Sequence, residues 1–282
     1  MTERMIEANG VRLCTEAAGD PGDPPVLLVM GMSASLLWWE EEFCARLAGA
    51  GRFVIRYDHR DTGRSVSYEP GHPAYTASDL VADAAGVLDA YGLSGAHVVG
   101  LSMGGALAQM LALDFPHRVL SLALISTSPA TPGERALPPA GDRLRRFLTT
   151  ARVDQADVAS AVEYLVDYWH ALWGAGRPYD EPRIRALARL DVTRSRNFAS
   201  AQNHAMLPDE DRPRGPLSSI TAPTLVIHGT DDPMFPIEHG RALADEIPGG
   251  RLLPLAGAGH GIDPADWDTV IPAILDHTTD DH

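Results

Sequence analysis

One serine of the sequence lies in a setting that favours nucleophilic chemistry. Ser102 is the centre of Gly100-Leu101-Ser102-Met103-Gly104, a Gly-x-Ser-x-Gly pattern between an apolar run and a helical pattern. A serine in this pattern must occupy a sharp, strained turn, where side chains two residues before and after it would collide. The amides of the following helix also favour negative charge near the hydroxyl. We therefore predict that Ser102 is the nucleophile of an acyl-transfer reaction.

This nucleophile needs a general base, because a serine hydroxyl is weakly reactive at neutral pH. One known triad has the chain order serine, acid, histidine. Of the 11 histidines, His260 is the best candidate, since it lies in the small-residue loop Gly257-Ala258-Gly259-His260-Gly261 after an apolar run. We predict that this loop brings His260 over Ser102.

Two aspartates, Asp231 and Asp232, compete for the role of the acid. Both follow the apolar run Thr224–His228 and would lie at the edge of a parallel sheet where active sites form. Asp232 has the Gly-x-x-Asp spacing counted from Gly229, and Pro233 restrains the backbone after it, so the pattern favours Asp232. The other aspartate is expected to cap the local turn.

A tetrahedral intermediate needs two backbone amides to hold its oxyanion. We predict that Met103, the residue after the nucleophile, supplies one of them. Met32 is predicted to supply the other, because Gly31 permits a tight turn after the first core strand and is also expected to border the substrate. The alternative is an ordinary strand-end turn, with Met32 as a core residue.

Three further side chains are candidates for substrate binding. Trp38 follows the predicted turn that contains Gly31 and Met32. Trp169 lies on one face of a predicted helix, and His204 lies near the end of a helical region. Aromatic residues at helical spacing more often pack in a core, which is the alternative for both tryptophans. If the tryptophans do line a pocket, it would suit a bulky apolar ester.

The elements that must position these residues are short apolar runs alternating with helical patterns. This alternation predicts an α/β fold with a mostly parallel, doubly wound sheet. Before the first run, Asn9-Gly10 predicts a hairpin over residues 5–16. The predicted sheet strands are Val26–Met30, Phe53–Tyr57, His97–Gly100, Leu120–Ser126, Thr224–His228 and Arg251–Leu255.

The alternation breaks in the middle of the chain, over residues 131–215. Proline-rich segments open and close this stretch, helices are predicted near 158–173 and 183–199, and no strand is evident. We interpret residues 131–215 as a helical cap inserted into an α/β core that is formed by 1–130 and 216–282.

Several of these stretches resemble the aclacinomycin methylesterase group of the α/β-hydrolase superfamily. The matching stretches are Val29–Gly31, Arg56–Ser65, His97–Gly104 and Pro223–Ile227, together with Trp38. The resemblance is strong in the first 130 residues and weaker in the cap. It implies an α/β-hydrolase fold and hydrolysis of esters on polyketide antibiotics. Related dehalogenases and epoxide hydrolases carry aspartate where this chain has Ser102, which argues against those activities.

Composition excludes other chemistry. The chain has 282 residues, a net charge of −15 and no lysine, so neither a lysine Schiff base nor a phosphate-loop lysine is possible. The acidic balance argues against a nucleic-acid partner.

No apolar run reaches the roughly 20 residues of a membrane span and the start resembles no secretion signal, so a cytoplasmic protein is expected. Cys14 and Cys44 are interpreted as buried thiols of a reducing compartment.

The combined hypothesis is a serine hydrolase that cleaves a carboxylic ester or lactone through an acyl-enzyme, without a metal or organic cofactor. The expected substrate is a bulky polyketide-type antibiotic, either an anthracycline methyl ester or a macrolide lactone. Alternatives that use the same triad are a small-ester carboxylesterase, an acyl-homoserine lactonase and a cofactor-free haloperoxidase. A ligand receptor with a hydrolase fold is the non-enzymatic alternative. The sequence does not indicate an oligomeric state.

Overall fold

The computed structural model describes residues 1–131, 133, 135–208 and 214–279. Its eight strands form one sheet with the spatial order 1-2-4-3-5-6-7-8, and every pairing is parallel except those of the second strand with its two neighbours. The predicted α/β class is therefore confirmed. The strands are β1 (Thr2–Ala8), β2 (Val11–Ala18), β3 (Pro25–Val29), β4 (Phe53–Tyr57), β5 (Ala96–Leu101), β6 (Val119–Ile125), β7 (Thr224–Gly229) and β8 (Arg251–Leu255).

The predicted hairpin and the predicted apolar runs all lie in this sheet. Asn9 and Gly10 turn the chain between β1 and β2 with φ values of 47° and 74°, as a tight hairpin requires. The hairpin is longer than the predicted 5–16, because its pairing continues to Thr2 and Ala17. Strands β4 and β5 are buried along their whole length, which explains why their sequences are apolar runs without alternation.

Helices cover both faces of the sheet, which makes the fold doubly wound. The core helices are α1 (Glu41–Gly49), α2 (Ala77–Ala90), α3 (Met103–Asp114), α7 (Glu238–Glu246) and α8 (Trp267–His277). Helices α2, α3 and α7 contribute to one apolar cluster, and α1 and α8 contribute to the cluster on the other face. The recurrence of apolar residues predicted α2 and α3 only. The other three helices have nine to 11 residues, so few turns repeat their apolar face.

The segment between β6 and β7 contains helices and no strand in its described residues. Its helices are α4 (Asp142–Thr150), α5 (Val158–Leu172) and α6 (Glu181–Arg194), followed by a 3₁₀ segment at Phe198–Met206. We call these four elements the cap helices. Helices α5 and α6 pack together through an apolar cluster that includes Val162, Val166, Ile184 and Ala188. The helical regions predicted near 158–173 and 183–199 correspond to α5, α6 and the start of the 3₁₀ segment.

Both cysteines are free and have no exposed surface. Burial raises the pKa of Cys14 and of Cys44 to about 12. Both side chains are therefore thiols at neutral pH. Separately, none of the described helices has the length and apolar character that crossing a bilayer requires.

Candidate active site

Ser102 occupies a tight turn between β5 and α3. Its backbone has φ 54° and ψ −119°, a conformation that residues with a side chain rarely adopt. The Ser102 amide donates to the Ile125 carbonyl at 2.9 Å, and the Thr127 hydroxyl donates to the Ser102 carbonyl at 2.7 Å. Both partners lie at the end of β6 or just beyond it, so the neighbouring strand positions the serine.

Two glycines allow the strand and the helix on either side of Ser102 to approach each other. A Cβ on Gly104 would collide with the carbonyl oxygens of Val29 and Met30, the second at 2.6 Å. A Cβ on Gly100 would lie 2.7 Å from the Gly104 carbonyl carbon. The packing thus contains the steric demand that the Gly-x-Ser-x-Gly pattern predicts.

Asp232 and His260 form a buried pair beyond the ends of β7 and β8. Nδ1 of His260 lies 2.9 Å from Oδ2 of Asp232 and 3.2 Å from its Oδ1. Burial acts to raise the pKa of Asp232, but the charge and hydrogen bond of His260 outweigh it, so this pKa lies below its usual value. Because a carboxylate only accepts, Nδ1 of His260 carries the proton that it donates to Asp232, and this pairing favours the tautomer in which Nε2 is free to accept.

The competing aspartate, Asp231, is exposed, and its carboxylate accepts a hydrogen bond from the Thr230 hydroxyl at 3.1 Å. The prediction that this residue caps the turn is wrong. The turn amides of Met234 and Phe235 instead donate to Oδ1 of Asp232, at 2.8 and 2.9 Å. A single carboxylate therefore holds both its own turn and the imidazole.

The loop that carries His260 is held from two sides. The His260 amide donates to the carbonyl of Leu172, the last residue of α5, at 2.9 Å. From the core, the hydroxyl of Ser126 accepts the Gly261 amide at 3.0 Å. Ser126 was not predicted as a site residue, because its only signal in the sequence is that it is a polar residue directly after a buried strand.

The turn after β3 brings Gly31 against the nucleophile. A Cβ on Gly31 would lie 3.3 Å from the Ser102 Cβ and 3.4 Å from the Leu101 carbonyl oxygen. Met32 follows, and its side chain is 43% exposed. Met103 is the first residue of α3, so its amide has no carbonyl of the same helix four residues before it. The two predicted oxyanion residues thus lie on the segments next to Ser102.

A stacked pair of tryptophans borders two cavities near these loops. The rings of Trp38 and Trp169 lie 4.4 Å apart between centroids, and both line both cavities. The Trp38 indole N–H donates at 2.7 Å to the buried carboxylate of Asp191 on α6. The smaller cavity, of about 50 Å³, also contacts His260 and Leu101. The larger one, of about 400 Å³, contacts Met32 but not His260.

The larger cavity is mainly apolar and aromatic. Besides the tryptophan pair, Tyr164, Tyr168 and Phe198 of the cap helices line it. None of these three was predicted as a site residue. The two tyrosines are four residues apart on α5, and this spacing fits core packing equally well. Only the folded structure, in which α5 lines the same cavity as Met32 and Ser33, identifies them as lining residues.

Charged residues surround the smaller cavity. Arg177 donates to both carboxylate oxygens of Asp266 at 2.7 Å, and Arg183 of α6 pairs with Glu40 and with Asp263, the latter at 3.0 Å. These ion pairs join α6 and the loop between α5 and α6 to core segments that line the cavity. No set of three or more histidine, cysteine or acidic side chains within residues 1–131, 133, 135–208 and 214–279 could hold a metal ion.

His204 does not have the position predicted for it. The side chain is buried, lines neither cavity and uses both ring nitrogens inside the protein. Its Nδ1 accepts the Ser33 amide at 3.0 Å, and its Nε2 lies 2.8 Å from the Arg60 carbonyl oxygen. The prediction that His204 binds the substrate is therefore corrected, because both of its ring nitrogens contact the backbone, at Ser33 and at Arg60.

The sequence as a whole can be compared with known proteins. The family model of the alpha/beta hydrolase fold matches residues 24–262. The chain belongs to the α/β-hydrolase family. It is 38% identical to rhodomycin D methylesterase DauP of Streptomyces sp. (strain C5) and 36% identical to rhodomycin D methylesterase DnrP of Streptomyces peucetius. Each alignment covers 99% of this chain and 98% of the relative.

Solved structures agree on the α/β-hydrolase fold. The esterase RhEst1 from Rhodococcus sp. ECU1013 superposes with a TM-score of 0.78 over 99% of this chain and 100% of that one, at 23% identity. The predicted resemblance to the α/β-hydrolase superfamily, and to its methylesterases in particular, is confirmed by the sequence relatives.

Proposed function

We propose that this α/β-hydrolase is a serine carboxylic-ester hydrolase in which Ser102 attacks, His260 transfers the proton and Asp232 orients the imidazole. The observation that carries the proposal is the buried pair of His260 and Asp232, 2.9 Å apart, whose imidazole lines one cavity together with Leu101, the residue before the strained Ser102. Strain at one residue and a buried carboxylate whose pKa a neighbouring histidine shifts are both characteristic of sites where chemistry takes place.

In the first half of the reaction, Nε2 of His260 accepts the Ser102 hydroxyl proton as Oγ bonds to the ester carbonyl carbon. The carbonyl oxygen becomes an oxyanion, which the amides of Met32 and Met103 would stabilise. Asp232 stabilises the imidazolium that forms. The intermediate collapses when the carbon–oxygen bond to the alcohol breaks and His260 returns the proton to the leaving oxygen.

In the second half, water replaces the alcohol. His260 takes a proton from the water, whose oxygen bonds to the acyl carbon, and a second oxyanion forms at the same two amides. Collapse breaks the bond to Ser102, returns the proton to its Oγ and releases the carboxylic acid. Ester and water are thereby converted into acid and alcohol.

The proposed substrate is the methyl ester of a bulky, flat polyketide of the anthracycline type. The names of the two methylesterases, which are 38% and 36% identical to this chain, support the ester class. The larger cavity supports the acyl part, because the rings of Trp38, Trp169, Tyr164 and Tyr168 suit a fused aromatic system. A macrolide lactone, whose ring is mostly saturated, offers these walls no aromatic face.

The smaller cavity supports a short alcohol. Because His260 must protonate the leaving oxygen, the alcohol part of the ester has to lie on the side of that histidine. The cavity there is about 50 Å³, whereas a single water needs roughly 10–15 Å³ on the same measure. This space accommodates a methoxy group, and we expect longer alkyl chains to fit it less well.

The test is hydrolysis of rhodomycin D by the purified chain, followed by liquid chromatography and mass spectrometry. The expected products are the free acid and methanol. Ser102→Ala is expected to form them at least about 10³ times more slowly than the parent. A second series compares methyl, ethyl and butyl esters of one aromatic acid, and we expect kcat/KM to fall by more than about tenfold from methyl to butyl.

Different results would overturn different parts of the proposal. A Ser102→Ala variant with the activity of the parent would exclude the serine mechanism. Turnover of rhodomycin D with equal rates on methyl and butyl esters would leave that mechanism intact and remove the small alcohol site. Absence of labelling by a fluorophosphonate, together with binding of the antibiotic, would favour the ligand-receptor alternative.

A further inference from the structure

Two buried histidines hold the two ends of the oxyanion turn, Met30–Ser33. At its start, Nε2 of His59 lies 2.9 Å from the Met30 carbonyl oxygen. At its end, Nδ1 of His204 lies 3.0 Å from the Ser33 amide nitrogen. The rings of the two histidines meet edge to face, with 5.8 Å between centroids. The turn therefore rests on two imidazoles that are in contact with each other.

The hydrogen-bond partners determine the tautomer of each ring. Carbonyl oxygens only accept, so Nε2 of His59 donates to Met30, and Nε2 of His204 donates to the Arg60 carbonyl oxygen at 2.8 Å. Nδ1 of His204 must then be the bare nitrogen that accepts the Ser33 amide. The ring of His204 therefore has to be neutral. Burial lowers the pKa of His59 to about 4 and that of His204 to about 3, so both rings are neutral at neutral pH.

Ser33 needs this support because its backbone is left-handed, with φ 61°. A residue with a side chain adopts this conformation at an energetic cost, and it keeps the conformation only where its surroundings impose it. Two hydrogen bonds do so here. One is the amide bond to His204, and the other runs from the Ser33 hydroxyl to the Ala201 carbonyl at 2.7 Å. Both partners lie in the 3₁₀ segment Phe198–Met206 of the cap.

We propose that His204 is a positioning residue that orients the Met32 amide toward the oxyanion, with His59 holding the other end of the turn. The inference rests on the proposed function, because it concerns the oxyanion site of that reaction. Met32 lies between Gly31, which contacts Ser102, and Ser33, whose conformation His204 fixes. When the Ser33 amide loses its acceptor, the turn is free to relax and the Met32 donor moves away from the oxyanion.

The predicted effect falls mainly on kcat. Loss of an entire oxyanion donor lowers kcat by about 10²–10³ in a known serine protease. Displacement of one donor is expected to lower kcat by about 10–100-fold, with KM within about threefold, because the oxyanion forms only after substrate has bound.

The test compares three single variants of the full chain. His204→Phe keeps a buried ring and removes both hydrogen bonds. His204→Gln is the conservative variant, since its amide has both an acceptor and a donor. His277→Phe is the matched control, because that histidine is also buried and its Nε2 lies 2.9 Å from the Leu122 carbonyl oxygen in β6 and 3.2 Å from that of Pro223, just before β7.

Two readouts separate positioning from folding. The first is the split between kcat and KM on an aromatic methyl ester. The second is the inhibition constant of an aryl trifluoromethyl ketone, whose adduct with Ser102 places an oxyanion in the same site. For His204→Phe we expect kcat to fall and the inhibition constant to rise by the same factor, about 10–100-fold. His204→Gln should recover at least about a third of the parent kcat, and His277→Phe should lose stability with kcat within about threefold of the parent.

The inference is overturned if His204→Phe and His277→Phe lower kcat equally, or if the inhibition constant does not change in either. If His204→Phe does not fold, the same comparison is made with His204→Gln and His204→Asn, and equal inhibition constants in both and in the parent would overturn it. A parent that binds the ketone but hydrolyses no ester would contradict the proposed function and leave the inference to be judged by the ketone. A parent that neither binds the ketone nor hydrolyses an ester would overturn both.

Discussion

The turn of Ser102, the proposed nucleophile, is built differently from the turn after β3 and from the loop that carries His260. Ser102 is held by Ile125 and Thr127, both from the core, and by the glycines that let β5 and α3 approach each other. By contrast, the amide of His260 is hydrogen-bonded to α5. The end of the oxyanion turn is bonded to the 3₁₀ segment of the cap.

This difference separates two kinds of constraint. The nucleophile turn depends on backbone sterics and on hydrogen bonds within the core. The histidine loop and the oxyanion turn share hydrogen bonds with the same helices that line the substrate cavity. A change in the cap that alters substrate choice is therefore expected to alter the rate of the chemistry as well, without affecting the nucleophile turn.

The largest effect is expected at the acid, where one carboxylate serves both its own turn and His260. Asp232→Asn should lower kcat by about 10⁴, because the amide no longer selects the tautomer that leaves Nε2 bare. The exposed Asp231→Asn is the matched control, and its kcat should stay within about threefold of the parent. Steady-state kinetics on the methyl ester measure both, and equal effects would contradict the assignment of the acid.

The steric basis of the nucleophile turn is tested by Gly104→Ala. The added Cβ would collide with the carbonyl oxygens of Val29 and Met30, so the free energy of unfolding should fall by about 4 kcal/mol. Gly176→Ala in the cap has open space around its Cβ and should change that energy by less than about 0.5 kcal/mol. Urea titration provides the measurement. Similar energies for the two variants would mean that the turn can relax and that the core is less constrained than we propose.

The cap-held turn should respond to pH through its neutral histidines. Burial lowers the pKa of His59 from 6.5 to about 4, so the unfolded chain binds a proton below pH 6.5 that the folded chain does not. The stability that depends on this group is complete above pH 6.5 and is lost as the pH falls toward 4. His59→Gln removes the difference.

The corresponding measurement is urea unfolding of the parent and of His59→Gln at pH 7 and pH 5. The loss of stability between these values should be smaller in the variant by about 2 kcal/mol. The nucleophile turn has no titratable side chain among its two hydrogen-bond partners, so it does not contribute to this difference. Parallel pH dependences in the two proteins would show that His59 does not remain neutral when folded.

The smallest effect is expected at the wall between the cavities. Trp169→Ala removes a ring stacked on Trp38, and kcat/KM for an anthracycline methyl ester should fall by about tenfold. A short acetate ester should be affected by less than about threefold. Because the wall also bounds the small cavity, the variant should discriminate less between methyl and butyl esters. Leu190→Ala, at an exposed position of α6, is the control. If the ratio of kcat/KM for the butyl and methyl esters does not change in Trp169→Ala, the tryptophan pair does not limit the size of the small cavity.

Sequence reasoning could predict the residues whose role is imposed by backbone geometry. The Gly-x-Ser-x-Gly pattern names a turn that few other sequences can form, and Asp232 follows Gly229 by a spacing that selects it over Asp231. These signals are local, since each depends on residues within a few positions of one another. For the same reason, the apolar runs predicted the strands of the sheet.

Residues that act across the boundary between core and cap could not be predicted. His204 lies 171 positions from Ser33, and no pattern in either segment indicates that the two meet. The same holds for Leu172 and His260. His204 was predicted to face the pocket because it lies near the end of the cap. Its side-chain orientation depends instead on how the 3₁₀ segment packs against the core.

The burial of Cys14 and Cys44 has a practical consequence. Since burial raises the pKa of both thiols to about 12 and neither has exposed surface, thiol-directed reagents should not modify the native chain at neutral pH. A cysteine introduced at the exposed Leu190 of α6 would then be the single labelling site, with no need to replace the native two. A fluorophore or spin probe attached there would report on motion of the cap while the proposed ester substrate binds and its products leave.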